Sequence, residues 1–290
     1  MPALDNLPLR CVRTAQALEF HYVEAGTGTP LVFVHGGMGD WSSWAPQWDA
    51  FTPAFRCISY SRRYSSPNQN LSMSKHHSVL DEAQDLGALL PLWDAAPAVL
   101  VGTSYGAYTA LQLALTAPQQ VAALVLTEPP VLPWADSVPG GREARLEFET
   151  EVLAPSTQAF AQGDPELAVQ LLTCGINGRS PGEAHTPAGR QRRLRNARAM
   201  QALAQSDQAY PSLDAAAAAA LRCPILLLQG ADTGALHRAT TEAVARRLPQ
   251  ALRQQVPTSG HGVHRDNPGD FNRLVLAFLA AAGFPAQSRA

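Results

Sequence analysis

An α/β architecture, a mostly parallel central sheet flanked by helices and carrying an inserted helical segment, is predicted by three observations. Short apolar runs such as 31–34 and 98–101 are continuous rather than alternating, as strands buried on both faces must be. Segments with helical spacing alternate with these runs, and strand–helix alternation builds parallel sheet. The region 133–214 interrupts the rhythm: it holds no strand signal, and Gly/Pro-rich pieces separate its helical stretches.

Two short strands are expected within 12–23, with a turn at Ala15-Gln16. A Gly26-Thr27-Gly28 loop then leads into the buried strand 31–34. A strand over 55–60 precedes a helix over 76–90, whose Leu80, Ala83, Leu86 and Leu90 form one face. A strand over 98–101, a helix over 105–116 and a strand over 121–126 follow. Within the insertion, 142–153, 165–172 and 189–204 read as helical. Limited proteolysis is expected to cut first around 178–189, where Gly and Pro cluster. The alanine run 215–220 abuts a strand over 225–228 and reads as a helix. A helix over 239–248, a short strand over 251–256 and a last helix over 271–281, with Leu274, Ala277 and Phe278 apolar, complete the order. The expected division is a first core part, 1–132, an inserted helical cap or lid, 133–214, and a second core part, 215–290.

The 290 residues are 46% hydrophobic and 16% charged, with a formal net charge of −2. That balance fits a soluble globular protein with a sizeable core and argues against nucleic acid or an anionic membrane as the main partner. Residues 1–13 carry Asp5 and Arg10 and no long apolar run, so no signal peptide is expected there. The most apolar window, 215–228, is broken by Arg222 and Pro224, so no membrane span is expected. Cys11, Cys57, Cys174 and Cys223 are scattered with no C-x-x-C pair, which points to a reduced, cytoplasmic chain. Oligomeric state is open.

The chemistry concentrates in Gly102-Thr103-Ser104-Tyr105-Gly106. A Gly-x-Ser-x-Gly between a buried strand and a helix has the form of a nucleophile elbow, with the glycines letting neighbouring backbone pass close to a strained serine. Serine needs a base within hydrogen-bond reach, and the base needs an orienting acid. Of eight histidines, His261 in Ser259-Gly260-His261-Gly262 is the best base, in a loop between the last strand and the last helix. His264 completes His261-x-x-His264, but no glutamate companion in a helical pattern accompanies it, and no metal is expected. His35 reads as a polar anchor of its loop. Arg62 and Arg63 follow the 55–60 strand, and either could pair with a carboxylate there or remain a solvated surface pair. Met38, Trp41 and Trp134 are candidate substrate-binding residues; Trp41, Trp44 and Trp48 crowd one loop and could as well pack in the core.

Together these segments resemble the α/β-hydrolase superfamily. The resemblance is carried by His35-Gly36-Gly37-Met38-Gly39 after a buried strand, the 102–106 elbow, and Ser259-Gly260-His261 followed by Asn267-Pro268 and Phe271. It covers roughly 18–130 and 221–283 and is weak across the insertion. It implies Ser104 as nucleophile, His261 as general base, and an oxyanion hole from the backbone N–H groups of Gly37 and Tyr105. The usual position of the acid is occupied by Thr233, with Asp232 one residue early. Some members place the acid after the strand that follows the elbow helix, where Glu128 stands in Thr127-Glu128-Pro129-Pro130. Glu128 is therefore preferred and Asp232 is the alternative. A serine at the elbow implies an acyl-enzyme, in contrast to the aspartate of haloalkane dehalogenases and epoxide hydrolases. The expected function is hydrolysis of a carboxylic ester of a small apolar substrate without a cofactor. A carbon–carbon bond hydrolase, a cofactor-free perhydrolase and a ligand receptor are the alternatives.

Overall fold

A computed structural model describes residues 3–70, 73–178 and 187–284, so most of the 178–189 stretch lies outside the described residues. Eight strands form one sheet: β1 (Arg10–Arg13), β2 (Glu19–Ala25), β3 (Pro30–Val34), β4 (Arg56–Tyr60), β5 (Ala98–Thr103), β6 (Val121–Thr127), β7 (Ile225–Gly230) and β8 (Leu252–Val256). Their spatial order is β1-β2-β4-β3-β5-β6-β7-β8. β1 pairs antiparallel with β2, and β2 with β4; every other pair is parallel.

The central strands are apolar up to their C-terminal ends because each face is covered. Val32, Val34, Leu100, Leu124, Leu126 and Leu227 enter one cluster, packed with α2 (Val79–Leu92) and α3 (Tyr105–Thr116). Leu31, Phe33, Val99, Val101, Val125, Leu226 and Leu228 enter the other, closed by Trp48 and Phe51 of α1 (Ala45–Phe51) and Phe271 and Val275 of the last helix. Successive strand residues alternate between two buried layers, and polar residues such as Thr103, Thr127 and Gln229 come only at or next to the C-terminal strand ends. The α1 helix was not expected; with seven residues it has too few turns to display a period. Ser78 caps α2 through a box with Asp81, which is why the helix begins there and not at His76.

Between β6 and β7 lie α4 (Leu132–Ala135), α5 (Gly141–Phe148), a π turn (Glu149–Leu153), α6 (Ala154–Ala161), α7 (Pro165–Asn177), α8 (Pro187–Arg195), α9 (Ala197–Ala204) and α10 (Ala215–Ala220). The helical stretch expected over 189–204 is two helices broken at Asn196. That break docks the insertion on the core. Buried Asp40 accepts from Arg195 Nε at 2.8 Å and from Asn196 Nδ2 at 2.7 Å, while Asn196 Oδ1 accepts from Ser66 N at 2.8 Å. After β7 come α11 (Ala235–Arg247), α12 (Val263–Asp266) and α13 (Pro268–Ala281). Among the described residues no helix is long and apolar enough to cross a membrane.

Candidate active site

Ser104 sits between β5 and α3 with φ 52° and ψ −126°, a region that costs a non-glycine residue strain. Its N–H donates to Thr127 O of β6 at 2.7 Å, which helps hold that backbone in place. The flanking glycines are there for space. A Cβ on Gly106 would lie 2.1 Å from Val34 O, and one on Gly102 would lie 2.6 Å from Ala107 Cα.

The chain ends of β6, β7 and β8 converge beside this turn, as C-terminal edges of parallel strands do. Glu128 follows β6, is fully buried, and adopts φ +45°. Its Oε2 lies 2.6 Å from His261 Nδ1. Gly230 N donates to Oε1 at 2.9 Å, and Thr233 Oγ1 donates to Oε2 at 2.9 Å. Thr233, at the position where an acid was looked for, is thus a hydrogen-bond donor to the carboxylate that reaches the histidine. Asp232 is exposed; its backbone N–H donates to Ser259 O at 2.9 Å, and its side chain does not join the cluster. With Nδ1–H donated to Glu128, the tautomer leaves Nε2 of His261 as the unprotonated nitrogen. Burial, helped by the nearby Arg265, pushes the His261 imidazole down, so it stays neutral and able to accept a proton. Burial raises the Glu128 carboxyl, opposed by His237 and by the Gly230 and Thr233 donors.

His237, in the first turn of α11, gave no sequence signal. Its ring stacks on His261 at 3.7 Å and 14°, and its Nε2 meets Ile176 O of α7 at 3.0 Å. Glu128, His237 and His261 place potential ligand atoms within 4.8 Å of one another. The donor set, two imidazoles and a carboxylate, is of a kind that divalent transition metals accept. His264 is not part of that group; its ring packs on Trp44 at 4.6 Å.

Gly36 and Gly37 lie on the turn after β3, and two buried groups hold them. His35 Nδ1 lies 2.8 Å from Gly36 O, while Arg62 N donates to His35 Nε2 at 3.0 Å. The Arg62 guanidinium, 1% exposed, donates to Gly36 O at 3.3 Å and Gly37 O at 3.5 Å. It pairs with Glu82 at 2.9 Å and lies 5.1 Å over the Tyr105 ring. Against burial, which raises it, Arg62 and His77 hold the Glu82 carboxyl down to about 2. Arg63 forks onto Asp85 with both contacts at 2.7 Å. Neither arginine is a solvated surface group. No backbone hydrogen bond among the described residues uses the Gly37 or Tyr105 N–H.

A cavity of about 90 Å³ is lined by Gly37, Ser104, Tyr105, His261 and Met38, with Leu132, Phe148, Ile176, Met200 and Leu236 over it. No hydrogen bond joins Ser104 Oγ to His261, as is common before substrate tightens a site. The expectations for Trp41 and Trp134 need correction: neither lines the cavity. Trp41 belongs to the 3₁₀ turn Trp41–Trp44, and its backbone N–H is tied to Ser61 Oγ at 3.2 Å. Trp134 is 3% exposed in the core, capped by Arg247 at 4.6 Å. Met200, which the sequence did not single out, has its sulfur 2.8 Å from where a Gly37 Cβ would be.

Residues 29–268 match the model of the alpha/beta hydrolase fold family. The chain is 26% identical over 257 residues to "Putative carbamate hydrolase RutD" of Klebsiella pneumoniae (strain 342), covering 88% of this chain and 92% of the relative. It is 31% identical over 200 residues to the mouse sn-1-specific diacylglycerol lipase ABHD11, covering 68% of this chain and 64% of that one. Carboxylesterase CesB (YbfK) from Bacillus subtilis superposes with a TM-score of 0.71 at 17% identity, over 96% of this chain and 94% of that chain. A family match spanning most of the chain, together with the sheet order and the strained serine between β5 and α3, makes this protein an enzyme of the alpha/beta hydrolase fold family.

Proposed function

We propose that the protein is a serine hydrolase that cleaves a carboxylic ester of a small molecule through an acyl-Ser104 intermediate, with Glu128 as the orienting acid. The observation that carries this reading is the 2.6 Å contact between Glu128 Oε2 and His261 Nδ1 at the wall of the cavity that Ser104 also lines. His261 Nε2 takes the Ser104 proton as Oγ attacks the ester carbonyl. Glu128 stabilises the imidazolium that forms, and the same proton passes to the leaving alkoxide. The unused N–H groups of Gly37 and Tyr105 receive the oxyanion, held at the required spacing by His35 and Arg62. Water then repeats the sequence on the acyl-enzyme. The 133–214 insertion acts as a cap whose apolar side chains exclude water and select the acyl or alcohol part. No step calls for a cofactor or metal, and the partner is a small-molecule substrate. The names of ABHD11 and CesB speak for ester cleavage, and that of RutD for a related acyl carbon bearing nitrogen.

The test is a fluorophosphonate probe followed by turnover of p-nitrophenyl esters of increasing acyl length. Stoichiometric labelling that Ser104→Ala abolishes, together with near-complete loss of turnover, is the expected result. A Ser104→Ala enzyme that kept wild-type turnover would sink the assignment, and labelling without turnover on any ester would favour a receptor.

A further inference from the structure

A second cavity, of about 640 Å³, adjoins the one that holds Ser104. Leu132, Met200, Leu203 and Tyr210 line both, so these side chains form the wall between them. Beyond that wall an apolar floor continues through Leu153 and Leu172, and the rim is exposed and polar at Asp136, Asp207 and Gln208. The rim charges are paired: Arg145 Nε donates to Asp136 Oδ1 at 2.7 Å and Arg145 Nη1 to Glu149 Oε1 at 2.8 Å, while His76 Nδ1 lies 2.7 Å from Asp207 Oδ1. An apolar floor under paired rim charges suits an uncharged hydrocarbon chain.

The backbone that carries this wall is tied at several points. α9, which supplies Met200 and Leu203, is held at its start by Asn196, bonded to Asp40 and Ser66, and at its end by Thr157 Oγ1, which donates to Ala204 O at 2.8 Å. The segment that carries Tyr210 is held by Tyr105 Oη, which donates to Ala209 O at 2.8 Å, and by Tyr108 Oη, which donates to Pro211 O. The Tyr210 ring meets the Tyr105 ring edge-on at 5.6 Å. Met200 is 3% exposed, and its sulfur covers Gly37 on the serine side of the wall. The leaving alkoxide has to lie against His261, because that ring returns the proton. Among the described residues, Leu236, His237, His261 and His264 line the serine cavity alone. The second cavity therefore borders a different wall, the one left for the acyl group.

We propose that Met200 sets the length of acyl chain the enzyme accepts: its side chain closes the Ser104 cavity against an apolar cleft that a longer chain would otherwise enter. A water-sized group needs about 10–15 Å³ of such space, so the 90 Å³ beside Ser104 has room for about six to nine groups, which methyl butyrate already takes up. The substrates are then esters of short acids. A longer chain has to force packed side chains out of their rotamers. Removing the Met200 side chain beyond Cβ joins the two spaces, and each methylene then buried is worth about fourfold in binding. The inference rests on the acyl-Ser104 reading for which group faces the wall, but not for the joining of the two cavities.

The experiment measures kcat/KM for methyl butyrate and methyl octanoate by proton release, in wild type and Met200→Ala. Wild type is expected to prefer the butyrate about tenfold or more, and Met200→Ala to raise the octanoate-to-butyrate ratio about tenfold or more. Taking the ratio within each variant cancels any effect of Met200 on the Gly37 turn. Ala204 lines the second cavity and not the first. Adding Ala204→Phe to Met200→Ala is therefore expected to bring the ratio most of the way back to wild type, and a ratio that stays high overturns the proposal, because the chain then lies elsewhere. Octyl acetate against methyl acetate lengthens the alcohol instead; a Met200→Ala gain in that series as large as in the acyl series overturns the acyl assignment. Leu203→Ala opens the same wall and takes the place of Met200→Ala if the latter does not fold. A wild type that takes octanoate as readily as butyrate, or an unchanged ratio in the opened variant, overturns the proposal. If neither methyl ester is turned over and Ser104 takes no fluorophosphonate, the ester-hydrolase reading fails; calorimetric binding of methyl octanoate to Ser104→Ala, with and without Met200→Ala, then still decides whether the wall excludes the chain.

Discussion

Glu128→Gln and Asp232→Asn form a matched pair, since each keeps shape and removes one carboxylate. Glu128 has no exposed surface and accepts three hydrogen bonds, from His261 Nδ1 at 2.6 Å, Gly230 N at 2.9 Å and Thr233 Oγ1 at 2.9 Å. In Glu128→Gln the amide oxygen still satisfies one neighbour, but the amide nitrogen is a donor. Turned toward His261, it makes Nδ1 an acceptor and places the imidazole proton on Nε2, the nitrogen that must be free to take the serine proton. Turned the other way, it meets the Gly230 N–H donor and strands it. Either arrangement also removes the charge that stabilises the imidazolium. A loss on the order of 10²–10⁴ in kcat follows, as for other triads deprived of their acid. Asp232 is exposed and makes no side-chain contact with the cluster, and its backbone bond to Ser259 O survives substitution. Asp232→Asn should therefore stay within a few-fold of wild type and within about 0.5 kcal/mol in stability. The assay is kcat/KM on p-nitrophenyl acetate from about pH 5 to 9, with urea unfolding to show that each variant is folded. A crippled Asp232→Asn beside a near-normal Glu128→Gln would refute the reasoning, and comparable partial losses would mean the two carboxylates share the task.

His261→Gln should cost roughly 10³-fold or more in kcat on the same ester, whereas His264→Gln should cost far less and instead lower the unfolding midpoint, because its ring packs on Trp44. Arg62→Met should lower kcat with little change in KM, since the loop carbonyls it holds position a donor rather than bind substrate. It should also cost several kcal/mol by stranding buried Glu82, on the order of 3–5. Adding Glu82→Leu should recover stability but not kcat, and recovery of both would remove Arg62 from the positioning of the loop. Burial, with His261 adding to it, pushes His237 down to about 3, against about 6.5 in an unfolded chain. Below about pH 6.5 the unfolded state takes up a proton that the folded state refuses, so stability falls with acidification at up to ~1.4 kcal/mol per pH unit. His237→Phe should therefore lose about 2 kcal/mol less than wild type between about pH 7 and pH 5, and an unchanged acid loss would mean His237 is already protonated when folded.

The elements whose information is local were legible in the chain. Continuous apolar strands, the Gly-x-Ser-x-Gly turn and a glycine-flanked histidine each announce themselves within a few residues, because steric room at Gly102 and Gly106 and burial on both sheet faces constrain neighbours. The family follows from them. The partner of His261 could be narrowed to two carboxylates and no further, since Glu128 lies 133 residues away and meets it only where β6, β7 and β8 end side by side. Thr233 stands where an acid is usual and donates a hydrogen bond to the Glu128 carboxylate. Long-range assembly also decided what no local pattern carries: His237 stacked on His261, Met200 over Gly37, and Arg62 buried beneath the Gly36–Gly37 turn. Trp41 and Trp134 were misplaced for the same reason, since an indole signals burial but not which buried space it fills. Sequence determined which chemistry the chain can perform, through residues fixed by backbone sterics over one turn. Tertiary structure decided which groups meet, because hydrogen-bond partners are chosen by the convergence of strand ends far apart along the chain.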